Sequence, residues 1–294
     1  MRTPTDSTNS VGRGFSRRTL WQCAGAGSLA MLGLSGAADA ASAKAAVRRA
    51  PALKLGLASY SLRKLSVDQL IQACASLGLS YLTLKDMHLP REPKELQTAV
   101  GKYKAAGITV MGAGVIYMKN EPEKVRKDFE YARDAGVPLI IAAPDPDALD
   151  LVEGLVKEFN MPVAIHNHGP EDKHYPGPSD VMKLIHKRDK RMGICMDIGH
   201  TVRAGEDPVA LVGKLGPRLF DLHVKDLKDP KDKGSQVESG KGVLDLVGLC
   251  KALQKRKFTG QVGLEYEINE AAPLPGIVES LAYLRGVLAG IGAA

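Results

Sequence analysis

The chain has 294 residues, of which 44% are hydrophobic and 25% charged, enough length and apolar content for one large domain with its own core. A formal net charge of +7 is a modest basic excess, and no arginine-rich run is interleaved with aromatics, so a nucleic-acid-binding protein is not expected. Four cysteines without paired spacing exclude a disulfide scaffold.

Residues 1–43 read as a leader. Ser16-Arg17-Arg18-Thr19-Leu20 precedes a mildly apolar, glycine- and alanine-rich stretch that reaches Leu34. Two small-x-small sites follow, Ala38-Asp39-Ala40 and Ala41-Ser42-Ala43. This is the layout of an export signal, and the paired arginines make it the twin-arginine type. The expectation is a leader over 1–43, a linker over 44–52, and a mature protein that the twin-arginine machinery delivers to the periplasm or beyond. A disordered basic tail is the simpler alternative. The apolar stretch is too short and glycine-rich for a membrane span. Cys23, preceded by Leu20-Trp21-Gln22, has no lipoprotein context, so no stable membrane anchor is expected. Cys74, Cys195 and Cys250 lie in apolar segments and read as buried free thiols.

From residue 53 the pattern alternates. Apolar runs at 54–58, 81–84, 108–113, 139–143, 162–165, 193–196, 219–224 and 261–266 are separated by stretches of helical period. Ser66-Val67-Asp68-Gln69 predicts a capping box opening the first helix, and Gly78 its end. Gly107 and Gly136 end the next two. Asp145-Pro146 and Asp207-Pro208 predict later helix starts, with proline at the first helical position. Helices follow over Leu246–Arg256 and from about Pro275 to Ala289. Eight strand–helix units in one α/β domain imply a closed parallel (β/α)8 TIM barrel over 53–294. The rival doubly wound open sheet lacks a Gly-x-Gly-x-x-Gly after its first strand. The longest connection, Lys225 to Val243, is polar and falls at the rim where lids are common.

Four apolar runs end in chemistry-bearing residues. They are His166-Asn167-His168, Asp197 with His200, His223-Val224-Lys225-Asp226, and Glu265-Tyr266-Glu267. Side chains alternate along a strand, so His166 and His168 share a face, as do Asp221, His223 and Lys225, and as do Glu265 and Glu267. With that face turned into the barrel mouth, His166, Asp197, His223 and Glu265 converge as two imidazoles and two carboxylates. Such a mixed set suits one divalent ion of Mn, Co, Zn or Fe. A lone histidine is more often structural; four such residues at strand ends argue for a site.

These motifs resemble the xylose isomerase-like barrels, a group of sugar isomerases, epimerases and relatives. Met196-Asp197-Ile198-Gly199-His200 resembles the sixth-strand motif and Leu222-His223-Val224-Lys225-Asp226 the seventh. Gly240-Lys241-Gly242-Val243-Leu244-Asp245 resembles the turn before the last unit, and Gly260-Gln261-Val262-Gly263-Leu264-Glu265-Tyr266 the eighth strand. The resemblance spans about residues 53 to 290 and implies metal ligation by Asp197, His223 and Glu265. It departs at strand five, where many members carry a glutamate and this chain has His166. Either His166 or His168 is then the fifth-strand ligand. Epimerases of this type exchange a proton between two glutamates, one of which is missing here.

The reaction the resemblance implies is isomerase- or epimerase-type proton transfer beside a carbonyl of a carbohydrate, or, as alternatives, dehydration or hydration of a keto sugar. A non-catalytic sugar-binding barrel and a phosphoester-cleaving relative are further readings. Glu265 or Glu267 is the expected base. Lys225 or His168 is the expected acid, although Lys225 also reads as a solvated loop lysine. Tyr60, Lys85 and His88, at the same rim, and His200, three residues past Asp197, are the expected contacts to substrate hydroxyls. Tyr60, Lys85 and His88 read equally well as ordinary surface residues.

Overall fold

A computed structural model describes residues 52–294. The expected leader and nearly all of the linker lie outside the described residues. Eight parallel strands close into a barrel: β1 (Lys54–Ala58), β2 (Tyr81–Leu84), β3 (Thr109–Met118), β4 (Ile140–Pro144), β5 (Val163–His166), β6 (Met192–Asp197), β7 (Leu219–Val224) and β10 (Gln261–Leu264). Each pairs with its sequence neighbours, and β1 closes the ring against β10. The helices are α1 (Val67–Leu77), α2 (Pro93–Ala105), α3 (Pro122–Asp134), α4 (Leu149–Phe159), α5 (Pro178–Ile185), α6 (Ile198–Arg203), α7 (Pro208–Leu215), α8 (Leu246–Lys255) and α9 (Leu274–Gly290). The expected (β/α)8 architecture is the observed one.

Local sequence explains the helix ends. The Ser66 side chain accepts from the Gln69 amide while the Gln69 side chain takes the Ser66 amide, a reciprocal cap on α1. Gly78 ends that helix in the left-handed region. Pro208 opens α7, its Asp207 cap accepting from the Val209 amide at 2.9 Å. Pro146 instead opens a short 3-10 turn, Pro146–Ala148, that leads into α4. Strands β4, β5, β6 and β10 are buried at every position, as strands covered on both faces require.

One strand runs longer than its apolar sequence. The run 108–113 predicts a strand ending near Ala113, but β3 continues to Met118 through a register shift between Ala113 and Ile116. Gly114 permits it: a Cβ there would meet Ile141 O at 2.0 Å, so only glycine lets β3 lie this close to β4. The extension carries Tyr117 to the C-terminal rim.

The long connection after β7 is not a free loop. A short antiparallel ribbon, β8 (Asp226–Leu227) with β9 (Gln236–Val237), forms inside it. The buried Asp226 carboxylate accepts from the amides of Gly240, Gly242 and Leu244 at 2.8, 3.1 and 3.2 Å. A Cβ at Gly242 would fall 2.1 Å from Asp226 Oδ1, which is why that turn needs glycine. Gln236 donates to Glu265 O at 2.7 Å and accepts from the Glu267 amide at 3.1 Å, so β9 clamps the segment after β10. The loop expected as a lid is pinned at both ends.

Candidate active site and metal centre

The barrel delivers its chemistry to the C-terminal rim. His166 and Asp197 are the last residues of β5 and β6, His223 lies one residue before the end of β7, and Glu265 follows β10 directly. One ligand atom from each of these four buried residues lies within 4.8 Å of every other. His166 Nε2 and His223 Nδ1 are 2.9 Å apart, and His223 Nδ1 is 3.0 Å from Glu265 Oε2. Asp197 Oδ2 lies 3.8 Å from His166 Nε2.

The donor set fits a divalent ion. Metal–nitrogen and metal–oxygen bonds of about 2.0–2.2 Å place donors within roughly 4.4 Å of one another, so little contraction is needed. Asp197 Oδ2 is buried and accepts no aligned hydrogen bond, although Lys225 Nζ stands 3.0 Å away. A buried acidic oxygen without an aligned donor, set beside two imidazoles, is a donor arrangement that fits a cation. His166 Nδ1 and His223 Nε2 also lack hydrogen-bond partners.

The backbone around Asp197 is held by a residue to which the sequence reading gave no role. Asn167 Oδ1 accepts from the Asp197 amide at 3.0 Å, and its Nδ2 donates to Asp197 O and Thr201 Oγ1, both at 3.2 Å. Asp197 also caps α6, its Oδ1 accepting from the His200 amide at 2.9 Å. Asn167 stood within the quoted cluster, but nothing in a single sequence marks an asparagine as an orienting group.

Lys225 is buried rather than solvated. Its Nζ lies 3.0 Å from Asp197 Oδ2, 3.0 Å from Glu265 Oε2 and 2.5 Å from Glu267 Oε2. Burial opposes its charge, but the three carboxylates outweigh that and hold the ammonium well above its ordinary pKa. Burial would likewise raise Glu265, yet His223 and Lys225 hold it well below the usual carboxylate range. His166 is pushed well below its ordinary value by burial and by His223. His223 moves the other way: burial opposes its charge, but the Glu265 carboxylate lifts it well above. The Cys195 thiol beside it is pushed up to about 12 by burial and stays protonated at neutral pH.

A cleft of 180 Å3 opens above these donors, lined by Tyr60, Lys85, His168, His200, Lys225, Glu267 and three of the donors themselves, His166, His223 and Glu265. His168 stands with Nδ1 3.1 Å from Asp172 Oδ2 and its ring stacked on Tyr117, whose hydroxyl lies 3.4 Å from Nε2. Burial lowers the His168 and His200 pKa values, which leaves neutral imidazoles facing the cleft at neutral pH. His88 is the exception among the expected contacts. It turns away from the cleft and is fully buried, its Nε2 3.0 Å from Leu65 O, because the turn after β2 folds it under the rim. Tyr117, missed by the sequence reading, lines the cleft because β3 is longer than its apolar run.

Beneath these donors lies a polar layer. Asp221 Oδ2 accepts from Thr83 Oγ1 at 3.4 Å and faces Cys195 Sγ at 3.8 Å, and burial pushes its carboxyl up to about 7. A larger hollow of 530 Å3 opens at the opposite rim around Leu219, Phe220 and Phe258, but no histidine, cysteine or carboxylate lines it. Chemistry rather than size selects the site.

The comparisons agree with the fold. Residues 71–287 match the model of the family described as xylose isomerase-like TIM barrel. An inosose dehydratase of Clostridium beijerinckii is 26% identical over 145 residues, covering 44% of this chain and 48% of that enzyme. The chain thus spans about half the length of this curated relative. Among solved structures, the apo 3-keto-D-glucoside 4-epimerase of E. coli superposes with a TM-score of 0.65 at 17% identity, covering 80% of this chain and 99% of that one. The IOLI protein with a binding zinc atom superposes equally well, with a TM-score of 0.65 at 16% identity over 82% of this chain and 98% of that one. At such identities the two structures show a shared fold. With the family model covering most of the barrel, the chain belongs to the xylose isomerase-like TIM barrel family.

Proposed function

We propose that this protein is a divalent-metal-dependent enzyme that moves a proton beside a carbonyl of a carbohydrate. The observation that carries the reading is the set His166, Asp197, His223 and Glu265, gathered within 4.8 Å at the floor of a cleft that also holds Lys225. The inosose dehydratase and 3-keto-D-glucoside epimerase likenesses support the substrate class. When bound, the ion polarises a substrate oxygen and stabilises the negative charge that develops on deprotonation.

The chain's own groups divide the remaining work. Lys225 is an ammonium at neutral pH, so it donates a proton or stabilises an oxyanion rather than accepting a proton. Glu265 is consumed as a ligand and by its contacts to His223 and Lys225, which leaves it a weak base. His168, neutral and facing the cleft, is the better acceptor; Glu267 is held at 2.5 Å by Lys225 Nζ but is not among the proposed metal donors, and its side chain stays 35% exposed.

A second reading, keto-sugar dehydration, is favoured by this pairing of an imidazole acceptor with an ammonium donor. Elimination needs a base for the C–H and an acid for the departing hydroxyl, and His166 stands where a second carboxylate would otherwise serve epimerisation. Incubation of the metal-loaded protein with inososes, ketoses and 3-keto sugars in heavy water, followed by NMR, separates the two. Isomerisation or epimerisation gives an isomer of the substrate with solvent deuterium at the exchanged carbon, whereas dehydration gives loss of water. No turnover on any carbonyl sugar would overturn the enzyme reading in favour of a binding barrel.

We also propose that the protein is exported by the twin-arginine machinery and acts in the periplasm or outside the cell. Arg17, Arg18 and the small-residue sites that follow support it. That route carries folded proteins, which would let the metal be loaded before transport. Among the described residues no helix is long and apolar enough to cross a membrane.

A further inference from the structure

The metal-proximal cleft is small for its purpose. Its 180 Å3 falls below the usual range of about 300–1,000 Å3 for small-molecule sites. On the β2–β3 side it adjoins a second compartment of 250 Å3, and Lys85, Gly114, Val115 and Tyr117 line both. Only the two together reach the usual size.

The outer compartment has a different chemistry. It contains no histidine and none of the metal donors, but it brings Arg91, Asp86, Asp128 and Tyr131 together. The Arg91 guanidinium is held in place, Nη1 2.7 Å from Asp128 Oδ1 and Cζ 4.6 Å from the centre of the Tyr131 ring. Its remaining N–H groups have no acceptor among the described residues, so a fixed planar fork of donors is left for a ligand. Lys85 has no carboxylate partner among the described residues. Its Nζ stands 5.5 and 5.7 Å from the centres of the Tyr60 and Tyr117 rings, at the junction of the compartments. Tyr117 itself is 65% exposed: His168 stacks on its ring, and most of the side chain is still left open.

We propose that the outer compartment is a second sugar subsite and that the substrate is a two-ring carbohydrate, a glycoside of the reacting keto sugar. This rests on the carbohydrate reading above. The reacting ring lies over the metal donors, and the second ring lays a C–H face on Tyr117 with its hydroxyls against Lys85 and Arg91. A neutral polyol fits better than an anionic group, because the carboxylates of Asp86 and Asp128 balance the two cations.

The test is calorimetric titration of the full-length, Mn2+-loaded protein with methyl 3-ketoglucoside, which has one ring, and with 3-ketosucrose, which adds a second ring to the same oxidised unit. The two-ring probe is expected to bind about tenfold tighter, equivalent to about 1.4 kcal/mol. That preference should drop to about twofold or less in Tyr117→Ala and in Asp86→Trp, a difference of under about 0.5 kcal/mol. Asp86 is an exposed loop residue that lines only the outer compartment, so a tryptophan there fills it without disturbing the donors or the fold. Equal affinity for the two probes, or an undiminished preference in both variants, overturns the subsite and leaves the carbohydrate reading standing. Failure of both probes to bind overturns the two together.

Discussion

His166 Nε2 and His223 Nδ1 face each other 2.9 Å apart, both buried, at the ends of β5 and β7. Two nitrogen lone pairs repel at that distance unless a proton or a cation lies between them. Burial keeps His166 neutral, and Glu265 keeps the proton on His223. A metal ion therefore competes with a proton for the same nitrogen. Metal affinity should rise with pH, by at most about tenfold per unit, for as long as His223 is being deprotonated. Titration in two buffers of different ionisation enthalpy should show proton release on binding. Affinity that is flat with pH and no proton release would sink this account.

The ligand set predicts one divalent ion per chain. His223→Ala should abolish stoichiometric metal, read by elemental analysis of the purified protein. Asp197 needs more care, because it also caps α6, and loss of such a cap costs about 0.5–2 kcal/mol. Asp197→Asn keeps the cap and removes the charge, so it should lose metal while retaining the circular dichroism of the barrel. Metal at wild-type stoichiometry in both variants would remove these residues from the site.

Export has its own readout. Replacing Arg17 and Arg18 together with lysine keeps the charge and removes the paired guanidinium groups. Precursor should then accumulate in the cytoplasm, and the shortened product starting near Ala41 or Lys44 should disappear from the periplasmic fraction. Unchanged export of the double variant would refute the twin-arginine assignment.

The barrel was legible because its signal is periodic. Eight apolar runs at even spacing, with caps and prolines between them, leave few other closures for a chain of this length. The candidate metal set was legible for a related reason: His166, Asp197, His223 and Glu265 each end an apolar run, and the ends of parallel strands meet at one rim. What the sequence concealed depends on distance. Tyr117 reaches the cleft only because Gly114 lets β3 run on beside β4. His88 follows the same strand as Lys85, yet the intervening turn hides it. Lys225 was expected as an acid, but its burial was not legible, because the three carboxylates around it come from two other strands. Asn167 acts through backbone groups of Asp197, and no residue pattern announces such a contact.

The polar layer under the ligands should make stability depend on pH. Asp221 titrates at about 7 in the folded protein because burial penalises its charge, whereas in the unfolded chain it titrates near 3.8. Between those values the folded state holds a proton that the unfolded state has lost, so stability falls as pH rises through the window and levels off above about 7. The loss is on the order of a few kcal/mol at most. Asp221→Asn removes the titration while keeping an acceptor for Thr83. Its melting temperature should fall less than that of the wild type between pH 5 and pH 8. Parallel curves for the two proteins would show that Asp221 is not the group responsible.

The last prediction concerns the reaction. Lys225 touches Asp197, Glu265 and Glu267, three carboxylates that would repel one another without it. Lys225→Met removes the donor and the charge while sparing all four proposed ligands, so metal should still bind. Turnover should fall by about 10²–10⁴-fold, the range of a general acid–base contribution. The isotope pattern is a second, independent check. With one principal acceptor, His168 or Glu267, proton exchange should occur at a single carbon beside the carbonyl, so in heavy water that carbon alone carries deuterium. His168→Gln should abolish the exchange if the imidazole is the base, and Glu267→Gln should do so if the carboxylate is. Full activity in Lys225→Met would remove the lysine from the chemistry. Product inverted at that carbon, with deuterium delivered to its opposite face, would point instead to two acceptors, a symmetric exchange for which His166, in the place of a carboxylate, leaves no second partner on β5.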